Sequence, residues 1–179
     1  MLSYLNIVEE RKRDMDIDVI KDKIEYCLQI LREKDQDLLD IEVNERTITH
    51  KLAEYIQDQF PNYDVDCEYN RYEKDTKRIR SIKNRSLDIT KLKKYQIEKL
   101  IWEDKKALTI YPDIIIHKRK SPNNNLLIIE VKKSSNNKGE DFDIKKIEEL
   151  MEPPYKYKFG LFLRIGIQNE NNKCKWFPR

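Results

Sequence analysis

Histidine and glycine are scarce in this chain, at two and three of 179 residues. With only His50 and His117, an imidazole-rich metal site is not expected. The three cysteines, Cys27, Cys67 and Cys174, are odd in number and far apart, and no CxxC pair occurs. That excludes a disulfide framework and a structural zinc site, and reads as reduced thiols in a cytoplasmic protein. Few glycines and six prolines argue against a linker or low-complexity chain. No run of about 18 apolar residues is present, so no membrane span is expected. The opening MLSYLNIVEERKRD lacks an apolar core and a cleavage site, so no signal peptide is read. What the chain does have is charge: 39% charged residues beside 39% hydrophobic ones. A chain of this length and balance can still bury a core, and one domain with an extension is expected.

The net charge of +3 is unevenly spread. Residues 71 to 110 hold 13 Lys or Arg against 6 Asp or Glu, which leaves the rest of the chain acidic on balance. A concentrated basic segment attracts polyphosphate; a merely solvated lysine-rich face is the competing reading.

Periodicity supplies the elements. Ile17, Ile20, Ile24, Cys27, Leu28 and Leu31 recur at helical spacing within residues 17 to 39, an apolar stripe suited to a brace or lid on the domain. A second helix is predicted over 43 to 59, with Asn44 as N-cap and Pro61 beyond its end. Glu45 falls toward that helix's apolar side, Ile48 and Leu52; it is either a partnered buried carboxylate or a first-turn residue favoured by the helix dipole. Residues 63 to 71 alternate as a strand with Val65, Cys67 and Tyr69 on one face. A helix over about 89 to 104 is read within the basic segment. Strands over 110 to 119 and 125 to 133 flank the turn residues KSPNNN. A helix over 140 to 151 and strands over 157 to 167 and 173 to 177 follow. The order predicts an α/β domain with a mixed sheet.

The hairpin brings chemistry-bearing residues together. If Arg119 pairs with Asn125, Asp113 falls opposite Val131; a one-residue slip puts it opposite Glu130. Either way the two carboxylates sit at one end of adjacent strands, at most roughly 8 Å apart. Glu130 and Lys132 share a face, about 6.6 Å apart. Two such carboxylates repel, and a divalent cation removes the conflict; oxygen ligands suit Mg²⁺ or Mn²⁺. Lys132 then stands where it can orient a water or stabilise charge on a phosphate oxygen. Glu45 is a further ligand if its helix packs beside this sheet end. The competing reading is a plain ion pair between one of these acids and Lys132 or Lys133 at a solvated strand end.

The chain resembles the PD-(D/E)XK nuclease superfamily, the restriction-endonuclease-like fold. Pro112-Asp113 matches the leading PD and Glu130-Val131-Lys132 the (D/E)XK. VNERTITHKLAEYIQDQFPNYDVDCEYNR looks like the helix and first strand that precede the motif, with Glu45 in the place of the helix carboxylate. DFDIKKIEEL resembles the helix that follows, so the likeness spans about residues 43 to 167. The resemblance implies a mixed central sheet flanked by helices as the core at 43–179, an N-terminal helical extension at 1–42 and a basic helical and loop insertion at 72–109. It implies a Mg²⁺-dependent endonuclease, a hydrolase of phosphodiester bonds using a metal-activated water. Asp113, Glu130 and the Val131 carbonyl would bind the metal, and Lys132 would assist the water. Beside such a site, Lys77, Arg78, Arg80, Lys83 and Arg85 become candidate phosphate contacts. Lys145 and Lys146 on the following helix could also face it, although Lys146 is spaced to pair with Asp143. His117 and His50 are read as structural or exposed. DNA is favoured over RNA as partner, a homodimer would suit the cutting of both strands of a duplex, and no membrane partner is expected. The alternative is a catalytically silent nuclease-fold module that binds nucleic acid or a protein partner.

Overall fold

The computed structural model describes residues 16–72, 74–79, 107–121 and 123–178. It is an α/β fold in which N-terminal helices precede a mixed five-stranded sheet that carries a further helix packed on it. Helix α1 spans Ile17–Asp40, and its first turn is capped by the Asp16 carboxylate, which accepts the Asp18 N–H at 3.0 Å. Helix α2 spans Glu45–Gln59, and Asn44 caps it by accepting the Arg46 N–H at 2.9 Å. The anticipated stripe is the buried one: Ile20, Ile24, Cys27, Leu28 and Leu31 join Ile48, Leu52 and Ile56 of α2 in one apolar cluster. Burial of each such aliphatic side chain contributes about 1.5–3 kcal/mol, so α1 belongs to the core rather than resting on it. Among the described residues, no helix is long and apolar enough to cross a membrane.

The sheet comprises β1 (Asp64–Cys67), β6 (Ile114–His117), β7 (Leu127–Lys133), β8 (Phe159–Ile165) and β9 (Lys173–Pro178), in the order β1-β6-β7-β8-β9. All neighbours are antiparallel except β7 and β8, which run parallel across helix α3 (Glu140–Met151). Two-residue strands β2 (Arg71–Tyr72), β3 (Asp75–Thr76), β4 (Arg78–Ile79) and β5 (Leu108–Thr109) form two small ladders beside it. The strand expected over 63 to 71 is shorter, because Glu68 adopts a φ of 50° and ends it. Tyr69 therefore leaves the face of Val65 and Cys67 and packs with the other core.

Alternation along the strands divides the interior in two. Leu127, Ile129 and Val131 of β7 face α1 and α2, together with Leu161, Leu163 and Ile165 of β8. Ile128 and Phe162 face α3, whose Ile147 and Leu150 pack there with Tyr155 and Tyr157. Gly160 sets how closely α3 approaches: a Cβ there would come within 2.2 Å of Ile147 Cγ2. The predicted helix over 89 to 104, with most of the basic segment, lies outside the described residues.

Candidate active site

The register of the β6–β7 hairpin pairs Ile114 with Ile129 and Ile115 with Ile128. One step further it places Asp113 opposite Glu130. The main chain fixes the Asp113 carboxylate, since Oδ2 accepts the Val131 N–H at 2.8 Å. Because Ile128 lies on the α3 face, Glu130 and Lys132 project to that face as well. Above them α3 presents Asp143 and Lys146, one turn apart. The Lys146 ammonium pairs with Glu130 Oε2 and lies 3.1 Å from Asp143 Oδ1. Lys132 Nζ lies 2.8 Å from Asp143 Oδ2. The result is a nearly dry cluster of three carboxylates and two ammonium groups, with Glu130 wholly buried.

Its charges do not balance, and one polar atom has no partner. Among the described residues Glu130 Oε1 is buried without a hydrogen-bond donor, and Asp113 is close enough to share a proton with Glu130; a shared proton or a cation would satisfy the pair. Burial, reinforced by the neighbouring Asp113 charge, drives the Glu130 carboxyl well above its usual range, against the pull of Lys146. Burial also raises Asp113, opposed by the Val131 N–H. Burial works against the Lys146 ammonium, but Glu130, Asp143 and Asp113 outweigh it and hold Lys146 above its ordinary value. Two adjoining acids that both resist ionisation share a proton unless a cation intervenes.

The donors available to such a cation are all oxygen. Among the described residues, no group of three or more His, Cys, Asp or Glu is arranged to hold a metal. The set that fits is Asp113, the orphaned oxygen of Glu130 and one main-chain carbonyl. Val131 directs its N–H toward Asp113, and in a strand the carbonyl of the same residue points to that side too. This chemistry suits Mg²⁺ or Mn²⁺, with water completing the shell.

Other expected residues fall elsewhere. Glu45 reaches the end of β7, but its Oε2 accepts the Lys133 N–H at 2.8 Å, and it does not join Asp113 and Glu130 in a three-acid group. It lines instead a cleft of about 610 Å³ between α2 and the end of β1, whose walls include Arg46, Glu68, Tyr111 and Asp113. Lys77 is buried rather than at the surface, and its Nζ donates to the carbonyls of Tyr69 at 2.9 Å and Arg71 at 2.6 Å. Arg78 is half-buried and donates to the Ala107 carbonyl at 3.1 Å. Arg80, Lys83 and Arg85 lie outside the described residues. His50 is exposed as expected, and His117 is buried, with Nε2 2.9 Å from Asp66. Asp143 is the member that the sequence did not assign to the site; its signal was the helical spacing to Lys146, legible only as a local pair. No protein-family model, curated protein or solved structure matches the chain.

Proposed function

We propose that this chain is a metal-dependent nuclease of the PD-(D/E)XK, restriction-endonuclease-like kind, hydrolysing phosphodiester bonds, with DNA favoured over RNA. The observation that carries the reading is the Asp113–Glu130 pair at the end of β6 and β7. It is crowded and desolvated, with one Glu130 oxygen unpartnered and Lys132 on the same face. An ion pair serving only stability would leave neither a surplus charge nor an orphaned oxygen.

A bound Mg²⁺ or Mn²⁺ would supply Lewis acidity and lower the pKa of a coordinated water. The chain's own residues do the rest. Asp113, Glu130 and the Val131 carbonyl would hold the cation. Lys132 places a positive charge beside the reacting phosphate oxygens, and Asp143 fixes the direction of that ammonium. Tyr111, half exposed in the same cleft, offers a ring on which a nucleobase can stack.

The test is incubation of the protein with linear duplex, circular duplex, single-stranded DNA and RNA, in Mg²⁺ and separately in Mn²⁺. Wild type should cleave at least one of them, and folded Lys132→Ala and Asp113→Ala should not. Full activity in a folded Lys132→Ala variant would overturn the assignment.

One observation favours a second reading. The Lys146–Glu130 and Lys132–Asp143 pairs already satisfy much of the site from within. A catalytically silent module that binds nucleic acid or a protein partner would need no more than that. Binding of nucleic acid without cleavage in either metal would favour it.

A further inference from the structure

The end of β6 remote from Asp113 carries a second cluster, of opposite charge. Asp113 and His117 lie four strand steps apart, about 13 Å. Beyond His117 a small cavity of about 50 Å³ is enclosed by Tyr69, Arg71, Lys77, His117, Lys118 and Lys120. Four of these side chains are cationic, and among the described residues none that lines the cavity is a carboxylate. The nearest acid is already engaged: Asp66 accepts from Arg119 Nε at 2.9 Å and lies 2.9 Å from His117 Nε2.

One buried group that lines the cavity, and a second on the same side of the sheet, bear on what it could hold. The Lys77 ammonium, 1% exposed, gives two of its three N–H groups to main-chain carbonyls and lies 4.7 Å from the centre of the Tyr69 ring. Among the described residues, its third N–H has no acceptor. The Tyr157 hydroxyl is wholly buried and, among the described residues, has no hydrogen-bond partner; burial raises its pKa, and the Asp66 carboxylate is near enough to raise it further. A buried hydroxyl in this position is ordinarily satisfied by a water or another acceptor. The space exceeds the roughly 10–15 Å³ that a single water requires.

We propose that this cavity binds a phosphate group, presented either by a nucleic-acid backbone or as free phosphate. Phosphate matches the site in charge, and its several acceptor oxygens could be shared by the lysine and arginine side chains around the cavity. The site does not depend on the nuclease reading. Under that reading the phosphate would lie on the order of four 3.4 Å steps of one strand from the carboxylates.

The test follows the His117 imidazole by ¹H–¹⁵N NMR during titration with inorganic phosphate, with sodium chloride at matched ionic strength, and with a short oligonucleotide. The comparison is the Lys118→Gln/Lys120→Gln double variant, which changes charge at the rim and leaves Lys77 in place. Saturable shifts with phosphate but not chloride, weakened at least about tenfold in the double variant, are expected from the loss of two charge-assisted contacts. Tighter saturation by the oligonucleotide assigns the phosphate to nucleic acid; saturation by free phosphate alone assigns it to a small anion. No saturable shift with either ligand, or an equal response in the double variant, would overturn the site.

Discussion

Replacing Lys146 with methionine isolates the electrostatic problem at the site. Methionine keeps most of the volume but removes the one cation that, among the described residues, pairs with the fully buried Glu130. Removing one partner of a buried pair costs about 3–5 kcal/mol, because the remaining charge stays uncompensated. For a chain of this size each kcal/mol is worth about 2–4 °C, so Tm should fall by about 6–20 °C in chelator at neutral pH. Glu130 can escape by taking a proton, so the deficit should shrink toward pH 5. The sign follows from linkage. A carboxyl whose folded pKa lies above the unfolded value binds more protons in the native state, and stability is lost as pH rises through the folded pKa. Adding Glu130→Gln to Lys146→Met removes both charges and should recover most of the loss. The assay is urea or thermal denaturation of wild type, both single variants and the double variant, as a double-mutant cycle at two pH values. A Lys146→Met loss under about 1 kcal/mol, or strictly additive singles, would refute the claim that Lys146 compensates a buried Glu130 charge.

Other expectations test neighbouring parts of the argument. Gly160→Ala places a methyl 2.2 Å from Ile147 Cγ2 and 3.0 Å from Met151 Sδ, and should destabilise by about 1–3 kcal/mol in urea melts as α3 is pushed off β8. Asp143→Asn should keep the fold but release Lys132; under the nuclease reading it lowers kcat more than it raises KM, and unchanged kcat would remove Asp143 from the site. Burial brings the Lys77 ammonium down to about 7. Its folded pKa lies below its unfolded one, so the unfolded chain binds more protons above pH 7 and stability rises with pH in that window. Relative to Lys77→Met the gain should approach roughly 4 kcal/mol by pH 10, and saturating phosphate should flatten it; a slope unchanged by the substitution would exclude Lys77 as its source.

Much of this was legible because local rules and the tertiary structure agree. The α1 stripe, the Asn44 cap and the extent of α3 follow from periodicity and capping, which packing did not override. The hairpin register was narrowed to two choices, and the observed one sets Asp113 against Glu130. What the sequence did not reveal depends on how elements dock. That Asp143 faces Lys132 requires α3 to lie over β7, and the close approach at Gly160 permits it. Glu45 was correctly directed toward the sheet end, but the free Lys133 N–H at the end of β7 claimed it first. The burial of Lys77 was not legible because composition counts a lysine as surface. Its ammonium lies over the Tyr69 ring with carbonyls around it, a placement that depends on the turn after Glu68.

Both ends of β6 raise the same physical question, with opposite sign. At Asp113 and Glu130, acids accumulate beyond what Lys132 and Lys146 neutralise, and an oxygen is left bare. At His117 and Lys77, cations accumulate while the nearest carboxylate is spent on Arg119 and His117, and a hydroxyl is left bare. For the buried members, Glu130 and Lys77, stability is a weak explanation, since buried charges usually break even or lose against neutral side chains of the same volume. Each imbalance has a simple resolution in a mobile ion of the complementary sign: a hard cation at one end and a phosphate at the other. A polynucleotide supplies the phosphate and, with its associated divalent ions, the cation. Under the proposed nuclease reading the two arrangements would serve one class of ligand, and loss of either would leave the other standing.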